Sequence, residues 1–277
     1  MPGGSTLTWW TLLCGLGVLN AVGWLASAWW LRRQNLSLSP EFRAMQRWQL
    51  LLSAVYVLGC GYRSMLPVFD VPRQVMVDSW ASSVLIGRSV ATLAELCFAA
   101  QWALLLRGLA QAGGQLGVAA VARSIVPLIV LAELCSWTAV LTTANLGHVI
   151  EEALWGLGAL LLCLAVVRLA AQASTTQARA LLSALAVAAA LYAAYMFAVD
   201  VPMYWQRWLS DEAAGRGYLS LAEGLEDAAR RWVVTHRWED WREEVIWMTA
   251  YFSLAVWLSI ALAHARVPLR RAVPQRR

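Results

Sequence analysis

Residues 80–106, WASSVLIGRSVATLAELCFAAQWALLL, form an apolar segment that contains two charged side chains. A helix of about 20 apolar residues crosses the hydrocarbon core of a bilayer, and this segment is longer than that. Arg88 and Glu95 each add roughly 2.5–3.5 kcal/mol to the cost of insertion, and such residues usually face a bundle interior or a wet cavity. The segment therefore predicts a transmembrane helix that carries part of a functional site.

The rest of the chain has the same apolar character. Hydrophobic residues make up 60% and charged residues 14% of the sequence, whereas soluble domains carry about 25% charged residues. The alternating pattern of barrel strands is absent. We predict an all-α polytopic membrane protein, in which residues 1–277 form a single transmembrane domain with a bundle of seven transmembrane helices. The expected spans are Thr8–Leu31, Arg47–Val68, Trp80–Leu106, Leu116–Thr142, Ile150–Ala170, Ala178–Val199 and Glu244–His264.

Every one of the 22 basic residues is arginine, and the chain contains no lysine. A GC-rich genome produces this bias, which favours a bacterial origin. A retinal cofactor is excluded because it needs a lysine amine for its Schiff base, and any other cofactor stays open. The five cysteines lie in apolar segments without a CxxC motif, so neither disulfides nor zinc–thiolate sites are expected.

Arginines also predict the orientation, because cytoplasmic connections carry an excess of them. They cluster in the first, third and fifth connections and in the tail Arg266–Arg277, whereas the short connections on the other side contain only Arg73. We expect the N-terminus outside and the C-terminus in the cytoplasm, in the cytoplasmic (inner) membrane. Anionic lipid explains the basic tail, so membrane lipids are the expected partner and nucleic acid is not.

The one long connection, residues 200–243, is predicted to be extracytoplasmic and to contain a helix over about 220–237. Ser220 and Glu223 have the spacing of a capping box, and Leu221, Leu225, Ala228 and Trp232 follow at helical spacing. We expect an amphipathic interfacial helix that lies on the outer surface and caps the mouth of the bundle. Two alternatives stay open, namely an interface anchor without a lid role and an irregular loop.

Polar residues collect in the outer half of the predicted bundle. Arg88, Thr92 and Glu95 share one face of span three by their i, i+4 and i+7 spacing, and Glu133 lies in span four. The candidate catalytic residues are Glu95 and Glu133, as proton acceptors or as an acid/base pair. The candidate ligand-binding residues are Arg63 and Arg88 for an anionic group, with Glu244, Trp137, Trp155, Trp247 and Tyr251 around it. The alternative is structural: Arg88 pairs with Glu95 or Glu133 and ties two helices together.

A metal site is considered and not predicted. His148, Glu151 and Glu152 fall on one helical turn and could supply half of a site, but no matching His–carboxylate pair occurs on another span. Carboxylates are also favoured at a helix start by the macrodipole. The alanines of span six allow close packing, either within the bundle or at a dimer face, so the oligomeric state stays open.

These observations predict a membrane protein with an outward-facing polar pocket for a small anionic or amphiphilic ligand. One alternative is a membrane-embedded enzyme that uses carboxylate acid/base chemistry on a lipid-like substrate. A structural or assembly subunit and a proton-coupled transporter are the others. The sequence does not decide whether the protein is an enzyme.

Overall fold

The computed structural model describes residues 3–34 and 40–265, and in them the protein is a bundle of long helices. Six helices are long and apolar enough to cross a membrane, which confirms the expected all-α, membrane-type architecture. They are Gly4–Gln34, Val84–Gly113, Leu116–Thr142, Leu146–Ala171, Thr176–Ala213 and Glu244–Ala263. The basic tail beyond residue 265, which contributed to the predicted orientation, lies outside the described residues.

The count of seven spans is not confirmed. Helix α1 is Gly3–Gln34 and helix α2 is Pro40–Met65. Helix α2 is long enough to span a bilayer but is not one of the six, because Gln46, Gln49 and Arg63 interrupt its apolar residues. It nevertheless packs between α1 and the next long helix, so its polar side chains meet protein rather than lipid.

The remaining elements follow in chain order. They are α3 (Val84–Gly113), α4 (Leu116–Thr142), α5 (Leu146–Ala171), α6 (Thr176–Tyr195), α7 (Val201–Ala213), α8 (Leu221–Arg230), α9 (Trp238–Trp241), α10 (Glu244–Ala250) and α11 (Val256–Ala263). The long helices pack on their sequence neighbours from α1 to α6, and α11 returns to pack on α1, α2 and α3. Large apolar side chains such as Leu58, Leu164 and Leu191 remain exposed on the bundle surface, as a lipid-facing belt requires.

The predicted end of span six at Val199 is wrong. The helix continues from Thr176 to Ala213 through a π-helical segment, Met196–Asp200, which joins α6 to α7. Pro202 lies in the first turn of α7, where it cannot donate a backbone hydrogen bond and its ring crowds the preceding turn. A wide π turn accommodates such a residue without ending the helix. A second π-helical segment, Tyr251–Ala255, joins α10 to α11.

One end of the bundle is capped by elements that the sequence analysis did not predict in full. We call it the polar end; it contains the C-termini of α2 and α4 and the N-termini of α3 and α5. Three two-residue strands form a small sheet there, with β1 (Val68–Phe69) antiparallel to β2 (Gln74–Val75), and β2 parallel to β3 (Val233–Val234). Arg73, in the β1–β2 turn, donates to the Val140 carbonyl at 2.9 Å and pairs with Asp227 of α8.

Helix α8 begins where the capping box predicted, since the Ser220 and Glu223 side chains both make the reciprocal bonds. It ends at Arg230 rather than near residue 237, because strand β3 follows. Gly224 packs directly against the backbone of Leu141, and Ala228 is fully buried. Leu221 and Leu225, predicted to belong to the same apolar face, are exposed. Helix α8 thus packs on the bundle through its small residues, and its leucines remain exposed.

The opposite half of the bundle is more polar inside than the sequence analysis predicted. Gln49 and Gln101 each donate to the other's backbone carbonyl, at 2.9 and 3.1 Å. Ser259 donates to the Gln101 side chain at 2.6 Å and lies 3.0 Å from the Ser53 hydroxyl. These four buried residues tie α2, α3 and α11 together.

Candidate functional site

Arg88 is the centre of a buried ion cluster at the polar end. One guanidinium nitrogen lies 2.7 Å from Glu133, 2.9 Å from Glu151 and 3.4 Å from Glu95, and the other terminal nitrogen lies 3.9 Å from Asp70. The Arg88 side chain is 7% exposed. One positive charge therefore faces at least three carboxylates, supplied by α3, α4 and α5, and their contacts join these helices.

Further hydrogen bonds orient the carboxylates of this cluster. The Trp137 indole donates to the Thr92 hydroxyl at 3.0 Å, and that hydroxyl donates to Glu133 at 2.6 Å. The Tyr251 hydroxyl donates to Glu95 at 3.1 Å. A chain of bonds such as Trp137–Thr92–Glu133 strengthens each member in a water-poor interior. It also leaves one Glu133 oxygen, Oε1, without a partner among the described residues.

Beside the cluster lies a cavity of about 420 Å³, which is within the range of small-molecule sites. Its upper part, toward the polar end, is lined by charged and aromatic side chains from α2, α3, α5, α7 and α10. Its lower part is lined by apolar residues such as Ile129, Leu162 and Leu258. One of the two π-helical segments adjoins it, since Tyr251 and Leu254 belong to its wall.

Most of the residues selected from the sequence line this cavity. The structure brings these together there: Arg63, Arg88, Glu95, Glu244, Trp155, Trp247, Tyr251 and the trio His148, Glu151 and Glu152. Glu133 and Trp137 are not among the lining residues; they lie behind Arg88, at the α3–α4 contact. Arg63 donates to the Val68 carbonyl at 3.0 Å rather than to a carboxylate.

The candidate ligand-binding residues did not include three tyrosines of the wall, namely Tyr56, Tyr192 and Tyr204. Tyr56 precedes Arg63 by seven residues, which places both on one helical face, so its position could have been found from the spacing. The Tyr204 ring lies 4.9 Å from the His148 ring. Tyr204 belongs to α7, which lies within the connection predicted over residues 200–243.

Two carboxylates in the wall differ from the rest. Among the described residues, Glu152 and Glu244 have no hydrogen-bond or ion-pair partner, although both face the cavity. By contrast, Glu151 binds Arg88 and is joined to the His148 ring at 2.8 Å.

A metal-type arrangement exists, but of the three residues considered from the sequence it includes only Glu151. Oxygen atoms of Glu95, Glu133 and Glu151 lie within 4.8 Å of one another. The Arg88 guanidinium contacts all three, so the position that a cation would take already holds one.

Comparison of the chain with models of protein families, with curated proteins and with solved structures finds no match. Its function must therefore be argued from the geometry of the cavity.

Proposed function

We propose that this is an integral membrane protein whose intramembrane cavity has its charged end toward the outer surface and binds an amphiphile. The observation that carries the proposal is the division of one continuous cavity into a charged, aromatic end and an apolar end. A molecule with a polar head and a hydrocarbon tail matches both parts, whereas a small polar solute matches only the first. Ligand sites generally combine apolar walls with a few convergent polar groups in this way.

The apolar end supports a route from the bilayer. Leu254 lines the cavity and is 73% exposed, so the cavity reaches the lipid-facing surface beside it. Closer to the polar end, the Trp247 ring stacks on Tyr195 with centroids 6.0 Å apart and an interplanar angle of 4°. The stack closes the gap between α6 and α10 above the opening. A hydrocarbon tail could enter at Leu254 while its head stays among the aromatic rings.

Arg88 takes a structural role in this proposal. Its guanidinium already contacts three carboxylates, so little of it remains for an anionic group of a ligand. Glu133 lies outside the wall, which leaves the acid/base pair suggested from the sequence with only Glu95 in contact with the cavity. No observation on the described residues favours catalysis or transport over binding.

The membrane arrangement is part of the proposal. We take α2 as the seventh span, because it packs on both α1 and α3. The arginine distribution supports the polar end as the outer end, in the cytoplasmic membrane of a bacterium with the C-terminus inside. Helix α8 is then interfacial: Gly224 and Ala228 rest on the bundle, and the exposed Leu221 and Leu225 face the lipid headgroups.

The test is binding of an amphiphile to a protein whose apolar cavity end is filled. Ala189 lines the cavity and is 8% exposed, and Ala190, beside it on α6, is exposed and not part of the wall. We expect immobilised protein in maltoside micelles to retain radiolabelled tetradecyl amphiphiles saturably. Ala189→Phe should abolish this retention and the matched control Ala190→Phe should preserve it. Equal retention by both variants, or none by the unmodified protein, contradicts the proposal.

A further inference from the structure

Acidic side chains outnumber basic ones in the wall of the cavity. Five carboxylates line the cavity, against two arginines. Arg88 is held by the ion cluster, and Arg63 makes no ion pair within the described ranges. A carboxylate removed from water without a partner is costly, so the surplus favours a positively charged occupant.

That surplus is concentrated at Glu152 and Glu244, one from α5 and one from α10. Both side chains face the same cavity and neither has a partner in the described part of the chain. Glu244 is the first residue of α10, where the macrodipole stabilises a carboxylate by roughly 0.3–1 kcal/mol, a fraction of what burial of a charge costs. Glu152 is the seventh residue of α5 and lies beyond the first turn, in which that effect acts. The helix termini alone do not account for two unpaired acids in one wall.

A second, independent observation at the same end points to a ligand. Tyr56 is fully buried and lines the cavity, and its hydroxyl has no hydrogen-bond partner among the residues that the structure describes. Buried hydroxyls without a partner are uncommon in proteins. A ligand head in the cavity would supply the missing contact.

The aromatic rings indicate which kind of cation fits. The Trp247 ring centroid lies 6.2 Å from that of Tyr192 and 5.4 Å from that of Tyr251. Ring faces bind ammonium groups through cation–π attraction, and quaternary ammonium is recognised in this way. A metal ion would instead need converging oxygens. Within the described chain, the one trio close enough for that already holds Arg88.

We propose that the head group of the amphiphile is a positively charged nitrogen, an ammonium, held between Glu152 and Glu244 against the rings of Tyr192, Trp247 and Tyr251. This inference rests on the proposed function, because it assigns the chemistry of the ligand that the cavity binds. It assigns Glu152 and Glu244 to ligand binding and leaves Arg88 to hold the helices.

The experiment compares three probes with a 14-carbon chain and different heads, all at the same low concentration: tetradecyltrimethylammonium, tetradecanol and tetradecanoate. The protein variants are Glu152→Gln and Glu244→Gln, singly and together, with Glu239→Gln as control because Glu239 is an exposed acid of α9. We expect the ammonium probe to bind the unmodified protein most tightly. The double variant should bind it at least about tenfold more weakly, which corresponds to about 1.4 kcal/mol, and should bind tetradecanol unchanged.

Unchanged tetradecanol binding also shows that the double variant is folded. If all three probes bind alike and Ala189→Phe removes them all, the amphiphile cavity stands and the ammonium assignment is wrong. Tightest binding of tetradecanoate would overturn the assignment as well. Failure of every probe contradicts the proposed function itself.

Discussion

Replacing Arg88 by methionine tests whether the buried ion cluster holds the helices together. Methionine keeps much of the length of the side chain but removes the charge, and three carboxylates then face one another within 4.8 Å. Two unit charges about 4 Å apart interact by roughly 4 kcal/mol at an effective dielectric constant near 20. Part of this is offset by desolvation, and breaking a buried pair costs about 3–5 kcal/mol in practice. We expect Arg88→Met to lower the unfolding free energy by about 3–5 kcal/mol.

A sharper test is the effect of Glu133→Gln on the unfolding free energy, which should have opposite signs in the unmodified protein and in Arg88→Met. In the unmodified protein Glu133 accepts from Arg88 at 2.7 Å and from Thr92 at 2.6 Å, so Glu133→Gln should destabilise it. In the Arg88→Met background the same substitution removes one of three repelling charges and should restore stability. We expect an interaction energy of about 2 kcal/mol or more, since residues in contact couple by up to about 3 kcal/mol.

The assay is reversible unfolding in mixed micelles with rising fractions of dodecyl sulfate, followed by tryptophan fluorescence. The control cycle uses Arg230→Met and Glu226→Gln, whose 3.1 Å ion pair has side chains 76% and 70% exposed. That pair should couple by only about 0.3–0.5 kcal/mol. An interaction energy at Arg88–Glu133 no larger than in the control would refute the reasoning.

Two further predictions concern α8. The Ser220 hydroxyl and backbone amide bond to the Glu223 carboxyl and hold its pKa below the usual range. These bonds should therefore stabilise α8 fully at a pH above the usual carboxyl pKa. The stabilisation should be lost as the pH falls through the lowered pKa of Glu223. Amide exchange in α8, corrected for its intrinsic pH dependence, should accelerate on acidification, and a Glu223→Gln variant that kept this response would count against it. A Cβ at Gly224 would collide with the Leu141 backbone, so Gly224→Ala should lower the unfolding free energy by about 1–3 kcal/mol. Gly217→Ala, with open space around its site, should not change the melting temperature; equal melting of the two variants would contradict the docking of α8.

Local patterns in the sequence predicted the long helices well. The expected span Leu116–Thr142 has the bounds of α4, and Ile150–Ala170 falls within α5. Uninterrupted apolar residues and a turn such as the left-handed Gly114 that ends α3 define such helices without help from distant contacts. The one-sided placement of Arg88 and Glu95 also followed from helical spacing alone.

Where local signals conflicted, the sequence analysis failed. Span six was predicted to end at Val199, but packing of α7 against α5 continues the helix through a π turn. Trp137, predicted to line the pocket, is turned to Thr92 instead. The three short strands gave no periodic signal, because two residues are too few to show one.

The sequence by itself determined that this chain forms apolar helices and that the acidic residues within them gather toward one end. Only the tertiary structure decided which of those residues meet. Arg88 contacts Glu133, 45 residues away, and Glu151, 63 residues away, and it leaves Glu152 facing the cavity alone. Neighbouring residues on a helix point in directions about 100° apart. The rotation of each helix about its axis, set by packing against its neighbours, therefore decides whether Glu151 or Glu152 pairs with the arginine.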